Sequence, residues 1–254
     1  MSNLIKFELK KIFLKKSILI TWAASLLLGM LLVHNSTVSD VYADVFFKSY
    51  GYTPIMGLIM FMILSGSYTL EYNSNMHELI NTTKNGKKKL VMAKGIGAGI
   101  ATAIINTTIV MAVYLDGLRK VNFEGLDMPL KNLWYFKGIN SNINVLQMMI
   151  ILIITVILAS FFFSQLGLYL SSISKSASIP FLVGGLIMGI PYILEPFIPS
   201  KFIAITPLWG MMSSQLVKYE VSAGIMIIQA VIFIVGCFIF PKLTYAAFTK
   251  ENNR

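Results

Sequence analysis

The chain is poor in cysteine, histidine and charge, and each scarcity removes a class of function. Asp, Glu, Lys and Arg make up 13% of its 254 residues, against about 25% in soluble domains. With 56% hydrophobic residues, a soluble fold could not cover its own surface. Cys237, the one cysteine, excludes an intrachain disulfide and sits inside an apolar run, where packing suffices as its role. The sequence has no GxxxxGK[ST], HExxH or CxxC pattern, so the usual phosphate-loop and zinc signatures are missing. Its apolar runs lack the paired carboxylates, or Ser with His or Lys, that an intramembrane protease needs. The chain by itself is therefore not expected to be an enzyme.

What remains is hydrophobic length. Six apolar segments run from about Ser17 to Val33, Tyr52 to Leu70, Gly95 to Leu115, Val145 to Leu170, Ile179 to Leu194 and Ala223 to Phe240. A bilayer core of ~30 Å needs roughly 20 such residues per helix, and the first and fifth segments are near the short end. The expected fold is all-α: residues 1–254 form a single transmembrane domain. Residues 1–16 are an interfacial helix, with spans at 17–33, 52–70, 95–115, 145–170, 179–194 and 223–240. Val41-Tyr42-Ala43 loosely fits a signal-cleavage site, but it lies well past the first apolar stretch, so that helix is expected to be retained.

Charge sets the orientation. With the N-terminus inside, fourteen Lys and Arg residues and four acidic ones are cytoplasmic, and seven of each are outside. The whole net charge of +10 then lies on one face, which is the positive-inside pattern. Both termini are expected in the cytoplasm, and the protein in the cell membrane. Because the lysines cluster beside apolar runs, topology explains them better than nucleic-acid binding does. His34 and His77 fall on opposite faces and cannot share a metal, and His77 reads as a solvated loop residue.

Ionisable residues stop at the span ends, at Glu71, Lys94 and Asp116. An ion-coupled transporter or channel would normally carry them inside. A non-transporting membrane scaffold is the other alternative class. Small residues recur in Gly95-x3-Gly99, Gly97-x3-Ala101 and Gly185-x3-Gly189, spacings that suit close helix crossings. No strand precedes the glycines after Lys94, so they are not a nucleotide fingerprint.

Three stretches outside the spans are informative. In NLIKFELKKIFLKK, a helix aligns Ile5, Leu9, Ile12 and Phe13, flanked by Lys6 and Lys10 on one side and Lys11 and Lys15 on the other. This fits a helix lying among anionic headgroups, or a basic topogenic flank with no further role. Phe7 and Leu14 form a second strip, suited to a protein neighbour. In residues 71–94, Met76, Leu79, Ile80 and Thr83 share one face of a short helix, before an Asn85-Gly86 turn and Lys87, Lys88 and Lys89. Such a face needs lipid or a partner's groove to bury it. Residues 195–222 carry Pro196, Pro199 and Pro207, which break them into pieces too short to span. Their Phe197, Trp209 and Met212 would be costly in water, so short re-entrant or interfacial helices are expected, with Trp209 at headgroup depth. With Pro207, these residues read as an outer lid or as a packing segment only.

This order of parts resembles the permease subunits of type-2 ABC transporters. In many of these the loop after span two begins with Glu, then, a few residues on, a small or polar residue, a hydrophobic pair, Thr or Ser, a basic residue and a final Lys. Here Glu71, Asn75, Leu79 and Ile80, Thr82 and Thr83, Lys87 and Lys94 match. Asn75 stands where Gly is frequent, and Thr83-Lys84 where Pro is frequent. The short length, sparse polar content and Lys-rich loop are similar to the phenol-soluble modulin exporter permeases of staphylococci. Lantibiotic- or bacteriocin-immunity permeases are near rivals. The resemblance implies a separate cytoplasmic ATPase that binds ATP and magnesium, with no cofactor on this chain. It also implies a second permease chain, the same or related, and an amphipathic peptide as cargo among membrane lipids. The coupling helix would be the segment holding Glu71, Met76, Glu78, Leu79, Ile80, Thr83 and Lys87.

Overall fold

The computed structural model describes residues 1–34, 37–69 and 86–250. Its elements are α1 (Ser2–Phe13), α2 (Lys16–Gly29), α3 (Val38–Gly51), α4 (Thr53–Leu64) and α5 (Gly86–Lys120). There follow two 3-10 turns at Leu130–Asn132 and Trp134–Phe136, then α6 (Val145–Ile173) and α7 (Ser178–Leu194). Three short helices, α8 (Ser200–Ile203), α9 (Pro207–Met211) and α10 (Ser213–Lys218), precede α11 (Ala223–Lys250). Among the described residues no strand forms; one isolated bridge pairs Pro129 with Asn144.

Among the described residues, four helices are long and apolar enough to cross a membrane: α3 with α4 as one span, α5, α6 and α11. The pair α1 and α2, bent by 68° at its break, makes a fifth if counted as one span. The predicted fifth span forms α7, a helix of 17 residues with Pro191 inside it.

Boundaries depart from expectation where burial outweighs local polarity. The predicted 52–70 span begins fourteen residues earlier, at Val38. Asp40, Asp44 and Lys48 interrupt the apolar run, yet Val41, Tyr42, Val45 and Phe46 turn inward and are fully buried. The Thr37 side chain accepts from the Asp40 N–H and caps the start. The predicted 95–115 span belongs to a 35-residue helix, roughly 52 Å long at 1.5 Å per residue, so it outruns a ~30 Å core at both ends. The last helix continues past Pro241 to Lys250 instead of ending near Phe240, as prolines in apolar helices commonly permit.

Helix α5 is the hub, touching α1, α2, α3, α4, α6 and α11. Its apolar window is 67% buried, whereas that of α11 is 17% buried, leaving Ile227, Val231, Ile234 and Phe238 uncovered. Such a face suits hydrocarbon rather than water. The small residues of α5 do make close crossings. A Cβ added at Gly99 would lie 2.4 Å from Phe161 of α6, and one at Gly97 would lie 3.1 Å from Glu8 of α1. The Gly185-x3-Gly189 crossing does not form within the chain: added Cβ atoms there meet nothing within 4 Å, and Gly184 packs on Phe61 instead.

Candidate functional site

Two clusters stand at opposite ends of the bundle. At the α1 end, Glu8 lies on the same helix stripe as Ile5, Leu9 and Ile12, since residues three and four apart share a face. Gly97 lets that stripe approach α5. The Lys94 ammonium donates to Glu8 Oε2 at 3.3 Å, with the two side chains 2% and 10% exposed. Lys94 also sits 5.5 Å from the Tyr68 ring centroid. Tyr68 meets Phe248 at 5.3 Å, and Lys87 lies 5.9 Å from the Phe248 ring. One charged and aromatic chain thus joins α1, α5, the turn after α4 and α11. Beside it Glu8, Lys11, Lys15 and Lys94 border a cleft of about 90 Å³.

Above this cluster, α5 and α6 are tied by polar bonds inside the apolar core. Gln165 Nε2 donates to the Gly95 carbonyl at 3.0 Å, Thr102 and Ser164 hydroxyls lie 2.6 Å apart, and Asn106 Nδ2 donates to Ser160 Oγ at 2.9 Å. These bonds join the base and middle of α5 to α6. Of the predicted coupling residues, Lys87 falls in this cluster. Glu71, Met76, Glu78, Leu79, Ile80 and Thr83 lie outside the described residues.

At the other end, the short helices α8, α9 and α10 form a folded cap. Trp209 and Met212 are fully buried. Trp209 is therefore the core of the cap rather than an exposed anchor at headgroup depth. Its indole stacks on Tyr219 at 4.9 Å and 14°. Pro207 opens α9, and Phe197, 79% exposed, stands apart from the buried pair. Gln229 of α11 pins the cap: its Nε2 donates to the Thr206 carbonyl at 3.1 Å and to the Ala204 carbonyl. Thr155 of α6 donates to the Met211 carbonyl at 3.0 Å.

Under the cap, α6 and α11 frame an apolar groove of about 610 Å³, lined by Thr155, Phe161, Gly210, Leu216, Phe233 and Cys237 among others. Phe161 lines the groove, while its neighbours Phe162 and Phe163 pack in the core and Met188 packs against Gly57. Beside the groove Glu195 accepts from the Tyr50 hydroxyl at 2.5 Å and the Tyr219 hydroxyl at 3.0 Å. Burial first, then the Glu195 charge and hydrogen bond, push the Tyr219 hydroxyl up to about 12. Burial lowers the Lys218 ammonium, and Glu195 opposes that shift.

Glu8, Tyr68, Glu195, Tyr135 and Gln229 were not among the predicted site residues. Glu8 and Gln229 carried a signal, a polar residue on an otherwise apolar stripe or span. Among the described residues, no group of three or more His, Cys, Asp or Glu side chains could hold a metal ion. No family model matches the chain, and neither does any curated protein.

Proposed function

We propose that the chain is the membrane-spanning permease subunit of an ATP-driven exporter, moving amphipathic peptides out of the cell or its membrane. It crosses the cell membrane six times, with α2 and α7 as its short spans and both termini in the cytoplasm. Energy comes from a separate ATPase binding ATP and magnesium, docked on the connection between α4 and α5. A second permease chain, the same or related, completes the pathway.

The observation that carries this reading is the Glu8–Lys94 pair with its aromatic neighbours. It locks the N-terminal helix to the base of α5, the helix that opens with Lys87, Lys88 and Lys89 directly after the connection from α4. A push on that connection would reach α5 and, through the Gly95, Thr102 and Asn106 contacts, α6. Helix α6 in turn walls the apolar groove and supports the cap. An apolar groove containing flexible Met and Phe side chains suits an amphipathic helix better than an ion or a sugar.

The test is deletion of the gene, followed by measurement of secretion of, and resistance to, amphipathic peptides. Loss of peptide from the medium, with sensitivity restored to normal by the wild-type chain, is the expected result. Unchanged secretion and unchanged resistance would overturn the proposal.

A further inference from the structure

Tyr135, Glu195 and the adjacent Lys218 and Tyr219 come together at the cap from three stretches of chain. Lys218 ends α10, and its ammonium lies 4.5 Å from the Tyr135 ring centroid and 4.9 Å from that of Tyr219. Both distances are within the range where an aromatic face attracts a cation. The rings are held in place. Gln215 Nε2 donates to the Tyr135 hydroxyl at 2.8 Å, and Glu195 accepts from the Tyr219 hydroxyl. Trp209 stacks flat on Tyr219. Glu220 Oε1 accepts from the Asn140 N–H at 2.7 Å, tying the loop that carries Tyr135 to the segment that carries Lys218. Through its bond with the Tyr219 hydroxyl, Glu195 places a carboxylate beside the rings. Tyr135 is 4% exposed and forms the floor, while Tyr219 is 39% exposed and leaves the site open to solvent.

Two aromatic faces, one carboxylate and an open side make a receptor for a positive nitrogen. We propose that this cage is a binding site for an alkylammonium group, filled in the free protein by the chain's own Lys218. The lysine is a tethered stand-in: its four-carbon stem delivers an ammonium to the rings, and an external amine takes the same place when the stem swings out. Binding here needs neither an ATPase nor a second chain, so its outcome is independent of the permease reading.

Trp209 provides the readout, because it stacks on a wall of the cage. In purified protein with Trp22→Phe and Trp134→Phe, Trp209 is the one remaining tryptophan. Methylammonium chloride is titrated against sodium chloride at matched ionic strength while Trp209 emission is followed. Lys218→Ala should give a saturable change. The wild type should require at least about ten-fold more methylammonium, because a short tether holds its competitor at an effective concentration on the order of millimolar or above. Lys218→Arg should behave as the wild type does. Tyr135→Leu in the Lys218→Ala protein should abolish saturation, and Glu195→Gln, which keeps both rings, should weaken it. Equal midpoints in wild type and Lys218→Ala, an equal response to sodium, no saturable response, or a response that survives both Tyr135→Leu and Glu195→Gln would overturn the proposal.

Discussion

Replacing Lys94 by Met tests whether α1 is locked to α5 by charge. The Glu8 and Lys94 side chains are 10% and 2% exposed, so the substitution strands a carboxylate largely out of water. Removing one partner from such a pair costs about 3–5 kcal/mol. The protein has an escape, because α1 is a helix of 12 residues at the edge of the bundle and can undock to hydrate Glu8. Undocking gives up four half-buried side chains, Ile5, Leu9, Ile12 and Phe13. At ~1.5–3 kcal/mol for each fully buried side chain, half burial of four amounts to ~3–6 kcal/mol. The two routes are comparable, so most of the loss should appear as a released α1. Trypsin cleavage after Lys10 and Lys11 reads that release, and dye labelling of Cys237 on heating reads global unfolding. A loss of ~3 kcal/mol corresponds to cleavage faster by on the order of 10². Glu8→Leu combined with Lys94→Met should restore protection, since neither charge then remains buried. Wild-type cleavage in Lys94→Met, or a double variant as exposed as the single one, would refute the lock.

Three further outcomes follow from the same packing. Gly99→Leu should force α5 from Phe161 and destabilise the protein by ~1–3 kcal/mol, whereas Gly185→Leu, facing open space within the chain, should leave thermal stability unchanged; equal losses would contradict the assigned crossings. Gln229→Ala should remove the side-chain donor to the Ala204 carbonyl and leave the Thr206 carbonyl with the Gly210 N–H alone, at about 1–3 kcal/mol, and speed hydrogen exchange across 200–212 but not in α5; uniform or unchanged exchange would argue against the pin. Tyr219, with its hydroxyl raised to about 12 by burial and Glu195, binds its proton more tightly folded than unfolded, so its contribution is complete below about pH 10 and is lost as pH rises through 12. Wild type should therefore lose stability more steeply than Tyr219→Phe between those values, and parallel curves would show that burial and Glu195 do not hold this proton.

The helical segments were legible because apolar runs of spanning length admit few other structures in an all-helical chain. Their ends were less so. Asp40, Asp44 and Lys48 hide a helix whose inward face is fully buried, and Pro241 marks no terminus. The glycines after Lys94 pointed correctly to close crossings, but their spacing could not say that Gly97 faces α1 while Gly95 and Gly99 face α6. Glu8 is three residues from Ile5 and four from Ile12, yet a charge on an apolar stripe acquires meaning only when its partner, 86 residues away, is placed. The same holds for Glu195 and Tyr50, 145 residues apart. Trp209 reads from composition as an interface anchor, and only the folding of the cap over it makes it core. The 3-10 turns carrying Tyr135 and Phe136 have no periodicity from which to read them.

The central claim is that a separate ATPase drives this chain through the connection between α4 and α5. It is tested most directly by purifying the tagged chain from its native membranes and measuring magnesium-dependent ATP hydrolysis in the eluate, for wild type and for Leu79→Asp. The wild type should bring down an ATP-hydrolysing subunit of roughly 30 kDa, and Leu79→Asp should insert normally yet lose it, because the substitution drives a charge into an apolar groove. A wild-type chain that purifies without ATP hydrolysis, or a Leu79→Asp chain that retains it in full, would contradict the account.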